Sequence, residues 1–396
     1  MEKLFSNSSL LIPVQLYEAV LREGFRPERQ TAIYLVYDVI VQNCSQMKGK
    51  WTYISDRNFQ NVVKNHTRKA AEKHWLEKNG FIQIKKWVAN DGTIKNSRIP
   101  GKQCQAYRVV EQGRECIWVD LWKRKLDWHA LTWNDPFCQY TRKVLGTIAV
   151  DESHVSLIVR GEAEFSTLPD TRRMSIAHWA RTLHFGAGRI SRGPTVNRLF
   201  SPWTCSPREL RRACFLSGQP IVSIDLQASQ PTLIGLLAED DTFSQACFSD
   251  ELYVQVSRLF AIDREEAKRI FLSYIYGDNR KARARNKAAL RVQEYVAEQF
   301  PKTHAYVWKR KLHDYTSFSR QLQNQEAKLF INGIMAEMMQ QGIPVLTVHD
   351  SISVPARYEQ QALEISRKIL GQTMSGKARM KISHYGEEKN EYVISI

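Results

Sequence analysis

Two aspartates, with a basic segment between them, are the residues of this chain best suited to chemistry. Asp225 closes the run Val222-Ser223-Ile224-Asp225, and Asp350 follows Val345-Leu346-Thr347-Val348-His349. Both runs are apolar and rich in β-branched residues, so each carboxylate is expected at the rim of a buried strand. Between them stand Arg264 and Lys268, four positions apart, and then Tyr276-Gly277. Carboxylates hold divalent cations, while lysine and arginine neutralise phosphates. Together they suit metal-assisted transfer of a nucleotidyl group.

If the two strands are neighbours in one antiparallel sheet, the carboxylates meet despite their distance along the chain. Mg²⁺ is then the implied cofactor, with Mn²⁺ as an alternative, because Mg²⁺ needs only one or two carboxylates beside substrate phosphates. The backbone carbonyl of Leu226 is a further candidate ligand. On a helix, Arg264, Lys268, Leu272 and Tyr276 recur every four residues and share one face. Lys268 and Arg264 would grip a triphosphate, and Lys268 would also be placed to protonate pyrophosphate. Plainer readings stand beside these. Asp225 could cap a helix beginning near Pro231, Asp350-Ser351 could be a hairpin turn, and the Arg264 segment could be a solvated helix face.

The elements that position these residues must come from a chain of 396 residues with 43% hydrophobic content, enough for two or three cores. A net charge of +16 favours a polyanionic partner, nucleic acid first. No apolar run reaches the roughly 18 residues of a membrane span, and Met1-Glu2-Lys3 does not begin a signal peptide. A cytoplasmic protein without a membrane partner is expected, nucleoid-associated in a bacterial host. The seven cysteines form no C-x-x-C pair, and the ten histidines show no ligand spacing.

The first third has a pattern of its own. One apolar helix is expected over Thr31–Gln42, and a second from Ser55, with Phe59, Val62 and Val63 inward. A third begins at Thr67 and stops at Asn79-Gly80; it should carry Ala70, Ala71, Trp75 and Leu76 on one side and Arg68, Lys69 and Lys73 on the other. Strands at Phe81–Ile84 and Gln105–Val109 flank a basic stretch. This order resembles the winged helix-turn-helix family. The resemblance implies a recognition helix with Arg68, Lys69 and Lys73 near nucleic acid, and a wing over Val88–Lys102.

The segments around the two aspartates resemble the palm and fingers of family A DNA polymerases and of single-subunit phage-type RNA polymerases. The likeness spans roughly residues 185–360. It implies that Asp225 and Asp350 bind metal, that Arg264 and Lys268 bind the triphosphate, and that Gln230, Leu272, Tyr276 and Leu226 line the nucleotide pocket. Gly188-Arg189-Ile190-Ser191 resembles the segment whose arginine contacts the primer terminus. Leu322-Gln323-Asn324-Gln325-Glu326-Ala327 resembles the helix whose glutamine touches the duplex minor groove, and His349-Asp350 resembles the third motif of the family.

Departures bear on the choice of sugar. DNA-synthesising members carry Glu at the position of Gln230, where it crowds a ribose 2′-hydroxyl. RNA-synthesising members have a small residue there. The His349-Asp350-Ser351 turn and Leu272 are closer to the RNA-synthesising pattern. The expectation is an α+β protein: a winged helix over residues 1–111, a connecting region or reduced thumb over 112–184, and a right-hand polymerase core over 185–396, with an antiparallel palm sheet and helical fingers. A small exonuclease-free DNA polymerase for replication or priming of a mobile element or phage is the first reading. Its partners would be DNA primer-template, nucleoside triphosphates, and a helicase or other replication protein. An RNA polymerase or primase of the same fold, and a non-catalytic DNA-binding initiator or regulator, are the alternatives. Short thumb length implies low processivity, and the basic run Arg280–Lys287 is a candidate template track.

Overall fold

The computed structural model describes residues 9–44, 51–60, 63, 66–88, 94–96, 104–110, 115–121, 134–278, 280, 287–374, 378–385 and 391–395. It is a mixed helix-and-sheet protein that separates into two compact units. One comprises residues 1–129, 150–187 and 206–213; the other comprises 130–149, 188–205 and 214–396. The units are therefore not consecutive segments, and the region expected as a connection over 112–184 contributes to both.

In the first unit, the helix Pro27–Cys44 buries Ile33, Leu35, Val36 and Ile40. A short strand Thr52–Ile54, the helices Asp56–Gln60 and His66–Lys78, and the strands Ile82–Ile84 and Gln105–Val109 follow. The strand Gln105–Val109 lies between the other two in an antiparallel sheet, with Tyr107 opposite both Thr52 and Ile84.

The helix His66–Lys78 corrects an expectation. Its buried positions are Lys69, Glu72, Lys73, Trp75 and Leu76, whereas Ala70 and Ala71 are exposed. Lys73 Nζ pairs with Asp56 at 3.2 Å and lies 3.7 Å from the centroid of the Phe59 ring. Glu72 accepts from Arg29 Nε at 3.2 Å. Lys69 and Lys73 thus stand in the packed interior of this unit, not on an open basic face, and the charge and ring partners of Lys73 compensate its burial. The expectations for the Arg68 side chain and for most of the Val88–Lys102 wing lie outside the described residues. Replacing Lys73 with Ala should cost about 1–3 kcal/mol of stability through the lost pair and ring contact. Thermal unfolding alongside DNA binding checks this: weaker binding at an unchanged melting temperature would restore the recognition role.

The second unit is built on an antiparallel sheet. Six of its seven strands are β1 (Cys214–Leu216), β2 (Gln219–Leu226), β3 (Leu346–Val348), β4 (Ser351–Pro355), β5 (Arg379–His384) and β6 (Glu391–Ser395), and Ile148–Val150 adds a seventh beside β1. β2 pairs with β4 along one edge and with β5 along the other, while β1, β3 and β6 pair with β2, β4 and β5 respectively. Alternation along these strands separates the two faces. Val222, Ile224 and Leu226, with Ile352, Val354, Met380 and Ile382, form a buried apolar face. The opposite face carries Ser223 between Ser353 and Ser383, and Asp225 between Ser351 and Lys381. Buried Trp203 donates from Nε1 to Ser353 Oγ at 3.2 Å.

Helices α1 (Ser229–Leu237), α2 (Arg264–Tyr276), α3 (Tyr315–Ala327) and α4 (Glu359–Met374) belong to the same unit. α3 runs directly into a wide π-helical segment, Lys328–Met335. A Cβ on Gly333 there would come within 2.9 Å of Ile369 Cγ2, so that position requires glycine to let α4 approach. No helix among the described residues is long and apolar enough to cross a membrane.

Candidate active site

The register of the sheet brings the two aspartates together. Asp225 lies opposite Ser351, next in sequence to Asp350, and Leu226 N–H donates to the Asp350 carbonyl at 3.0 Å. Asp350 occupies a two-residue turn between Val348 and Ser351, with the Ser351 hydroxyl donating to the Val348 carbonyl at 3.0 Å. The turn requires positive φ at its first position, and His349 adopts φ of 56°. A non-glycine residue held there stores backbone strain, a feature that concentrates at functional sites. Its ring meets Phe200 edge-on at 6.3 Å.

Electrostatics couple the acids. Burial raises the Asp350 pKa well above the usual carboxylate range, and the charges of Asp225 and Glu326 push it in the same direction, while Lys268 opposes them. Two half-buried carboxylates in mutual repulsion, with a lysine charge close by, fit a divalent cation. Among the described residues, no group of three or more His, Cys, Asp or Glu side chains is placed to hold a metal by itself.

α2 is set by its own sequence. Asp263 caps it, accepting from Glu266 N–H at 2.8 Å, and Glu265 and Glu266 sit in its first turn, where the helix dipole favours acids. Ala267, Ile270, Phe271, Tyr274 and Ile275 are buried. Arg264, Lys268, Leu272 and Tyr276 therefore share the other face, from exposed Arg264 and Lys268 to half-buried Leu272 and Tyr276. Arg264 differs from expectation: its guanidinium makes two 2.7 Å bonds to the Asp250 carboxylate. A triphosphate would have to compete with that pair, so Lys268 is the cation of α2 that acts on the acidic site. Tyr276 is hydrogen-bonded to Gln323, and burial raises its pKa. Gln323 is thus attached to the C-terminal end of α2 as well as lying on α3.

Arg189 is exposed, just before the short hairpin that pairs Ser191–Arg192 with Leu199–Phe200. That hairpin is tied to α3: Asn197 Nδ2 donates to Asn324 Oδ1, and Asn324 Nδ2 to the Thr195 carbonyl, both at 2.9 Å. Arg198 is ion-paired with Glu326.

Sequence reasoning missed four groups here: Glu326, Arg198, Lys381 and Ser229, whose hydroxyl donates to Glu326 Oε1 at 3.0 Å. Glu326 had a visible signal. Phe318, Leu322, Glu326 and Phe330 recur every four residues, so an acid interrupts a buried stripe. Lys381 had none, since its place opposite Asp225 is a matter of strand pairing.

No protein-family model and no curated protein matches the chain. Among solved structures, the POL domain of Pol1 from M. smegmatis, in complex with DNA primer-template and dNTP, is similar with a TM-score of 0.44 and 10% identity, covering 89% of this chain and 81% of that chain. A likeness at that level does not assign a family.

Proposed function

We propose that this protein is a template-directed nucleotidyltransferase, a small DNA polymerase of the family A kind that uses two divalent metal ions. The observation that carries the reading is the pairing of Asp225 with the Asp350 turn, under the charge of Lys268. On this reading the sheet is the palm and α2 belongs to the fingers. Winged helix-turn-helix character for the first unit is part of the proposal, supported by its order of helix, strand, helix and helix followed by the strands Ile82–Ile84, Lys86–Val88, Ile94–Asn96 and Gln105–Val109.

Asp225 and Asp350 would hold Mg²⁺ or Mn²⁺, which supplies Lewis-acid activation of the 3′-hydroxyl and charge stabilisation at pyrophosphate. The chain's own groups do the rest. Lys268 neutralises triphosphate charge and is placed to hand a proton to the departing pyrophosphate. Tyr276, fixed by Gln323, and Gln230 shape the pocket for the nucleotide. Arg189 and the hairpin it precedes line the path of primer and template.

Primer extension with the purified full chain tests the reading, with Mg²⁺ or Mn²⁺ and with dNTPs or rNTPs supplied separately. Extension is expected. Lys268→Ala should lower kcat/KM about 10- to 100-fold, from lost stabilisation of the transferring phosphates. A folded protein that binds DNA yet extends nothing under any condition would instead be a non-catalytic initiator.

A further inference from the structure

The three-stranded sheet of the first unit has an outer face for which the polymerase reading gives no use. Its inner face is apolar and packed: Ile54, Ile82, Ile84 and Tyr107 are buried, and the Tyr107 ring lies 5.7 Å from that of Phe59. Alternation along the strands turns the intervening residues outward. One outward row crosses the sheet as Tyr53, Ala106 and Lys85. Tyr53 is paired with Ala106, and Lys85 N–H donates to the Ala106 carbonyl at 3.0 Å. Ala106 is buried in the middle of its row, so its larger neighbours form the surface. Tyr53 is 46% exposed, and the Lys85 ammonium lies 5.9 Å from the centroid of its ring. The next row holds Trp51, Arg108 and Gln83. Gln83 is paired with Arg108, and the Arg108 guanidinium lies 5.0 Å from the centroid of the Trp51 ring.

These rows match an extended polyanion that carries flat bases. Neither row contains an acid. With Lys69 and Lys73 in the interior, the expected recognition helix loses two of the cations assigned to it, and the outer sheet face offers two others. Rings on alternate positions of one strand are about 6–7 Å apart. That is about twice the 3.4 Å rise per nucleotide of stacked DNA. Bases lying on both rings are therefore unstacked from one another, which selects a single strand over a duplex. Each cation stands beside a ring, where the phosphate of a stacked base comes within its reach. The Gln83 amide oxygen accepts from both Nε and Nη2 of Arg108, which occupies both of its lone pairs. It is not available to a ribose 2′-hydroxyl, so the strand this face suits is DNA.

We propose that the outer face of this sheet is a single-stranded DNA site, in which Trp51 and Tyr53 stack on two successive bases while Lys85 and Arg108 hold their phosphates. The site stands apart from the polymerase reading, and it would serve a non-catalytic initiator equally.

Anisotropy titrations of a labelled dT oligonucleotide with the full chain test this, beside duplex DNA and an RNA strand of matched length. The dT strand should bind more tightly than either. Tyr53→Ala should weaken its binding about 5- to 150-fold, the worth of one stacked base, and leave duplex binding unchanged. Tyr53→Phe keeps the stacking face and should bind as wild type does. Arg108→Gln should lower the slope of log affinity against log salt by about 0.7, one phosphate contact on a single strand, a readout that a loss of stability would not mimic. The proposed active site also takes up a template strand, so the location is read separately. Photocrosslinks from a 5-iodouracil oligonucleotide should map to Trp51 or Tyr53, and adducts confined to the second unit would overturn the proposal. Wild-type affinity in Tyr53→Ala at an unchanged melting temperature would do the same, as would an unchanged salt slope in Arg108→Gln or a preference for duplex or RNA over the dT strand. None of these measurements involves nucleotide incorporation, so failure here leaves the polymerase reading in place.

Discussion

On the proposed function, Asp225→Ala and Asp350→Asn should each lower nucleotide incorporation by at least about a thousandfold, because each would remove half of the protein's contribution to the proposed metal site. Neither unfolds the protein, and Asp350→Asn stabilises it when divalent cations are absent. The physical reason is the position of Asp350. Burial and the charges of Asp225 and Glu326 raise its pKa, so the folded chain holds this proton more tightly than the unfolded chain does. Across the window from the ordinary carboxylate value up to the folded one, the folded state carries more protons. Stability therefore falls as pH rises through the folded-state pKa and is fully retained below the unfolded value.

Asn mimics the protonated acid and should abolish that fall. At about pH 8 in EDTA, the variant should melt above wild type, by about 2–4 °C for each kcal/mol relieved. At about pH 2.5, well below the ordinary carboxylate value, the difference should vanish, since Asp350 is then neutral in both states. Added Mg²⁺ should raise the wild-type melting temperature and leave Asp350→Asn nearly unmoved. Melts at several pH values, with and without metal, read all of this beside the extension assay. A variant that melts below wild type at every pH would mean that Asp350 holds the turn together and does not serve as an acid kept under repulsion.

The strands flanking the two aspartates were legible because their period was intact. Val222-Ser223-Ile224-Asp225-Leu226 and Ile352-Ser353-Val354 alternate apolar with polar, and in the structure they share a buried apolar face while Ser223, Ser353 and Asp225 share the other. The face of α2 was legible for the same kind of reason, from a four-residue recurrence beginning just after an Asp cap. What escaped were partners distant in sequence. Nothing in Thr67–Lys78 reveals that Asp56 and the Phe59 ring will take up Lys73, so small Ala70 and Ala71 read as the inner side. Likewise, the bidentate grip of Asp250 on Arg264 spans the helix Glu251–Phe260 and the turn after it and leaves no mark in hydropathy. A pattern of side-chain types shows which face is buried when that face is apolar. It fails when the buried face is built from ion pairs, whose compensation comes from another segment.

The same logic makes the Arg198–Glu326 pair the most sensitive structural contact of the candidate site. Glu326 is 1% exposed along its side chain and Arg198 15%, so the two deletions are unequal. Glu326→Ala leaves a guanidinium that can still reach water. Arg198→Ala leaves a carboxylate in the interior with only the Ser229 hydroxyl and the Gln230 amide, among the described residues, to compensate it. Breaking a buried pair from one side costs about 3–5 kcal/mol, and the larger cost falls on the variant that strands the more deeply buried charge. Arg198→Ala should therefore melt about 6–20 °C below wild type, and Glu326→Ala less far below. Adding Glu326→Gln to Arg198→Ala removes the stranded charge and should recover part of the loss, giving a coupling that single deletions do not predict. Arg198 also sits on the hairpin held to α3 through Asn197 and Asn324. Its loss should weaken primer-template binding, and the Glu326→Gln addition should not restore that binding. Urea unfolding and DNA titrations on the three variants measure both effects. If Arg198→Ala proved as stable as wild type, the ion pair would be a surface contact, and Glu326 would have to be held in place by its hydroxyl and amide donors alone.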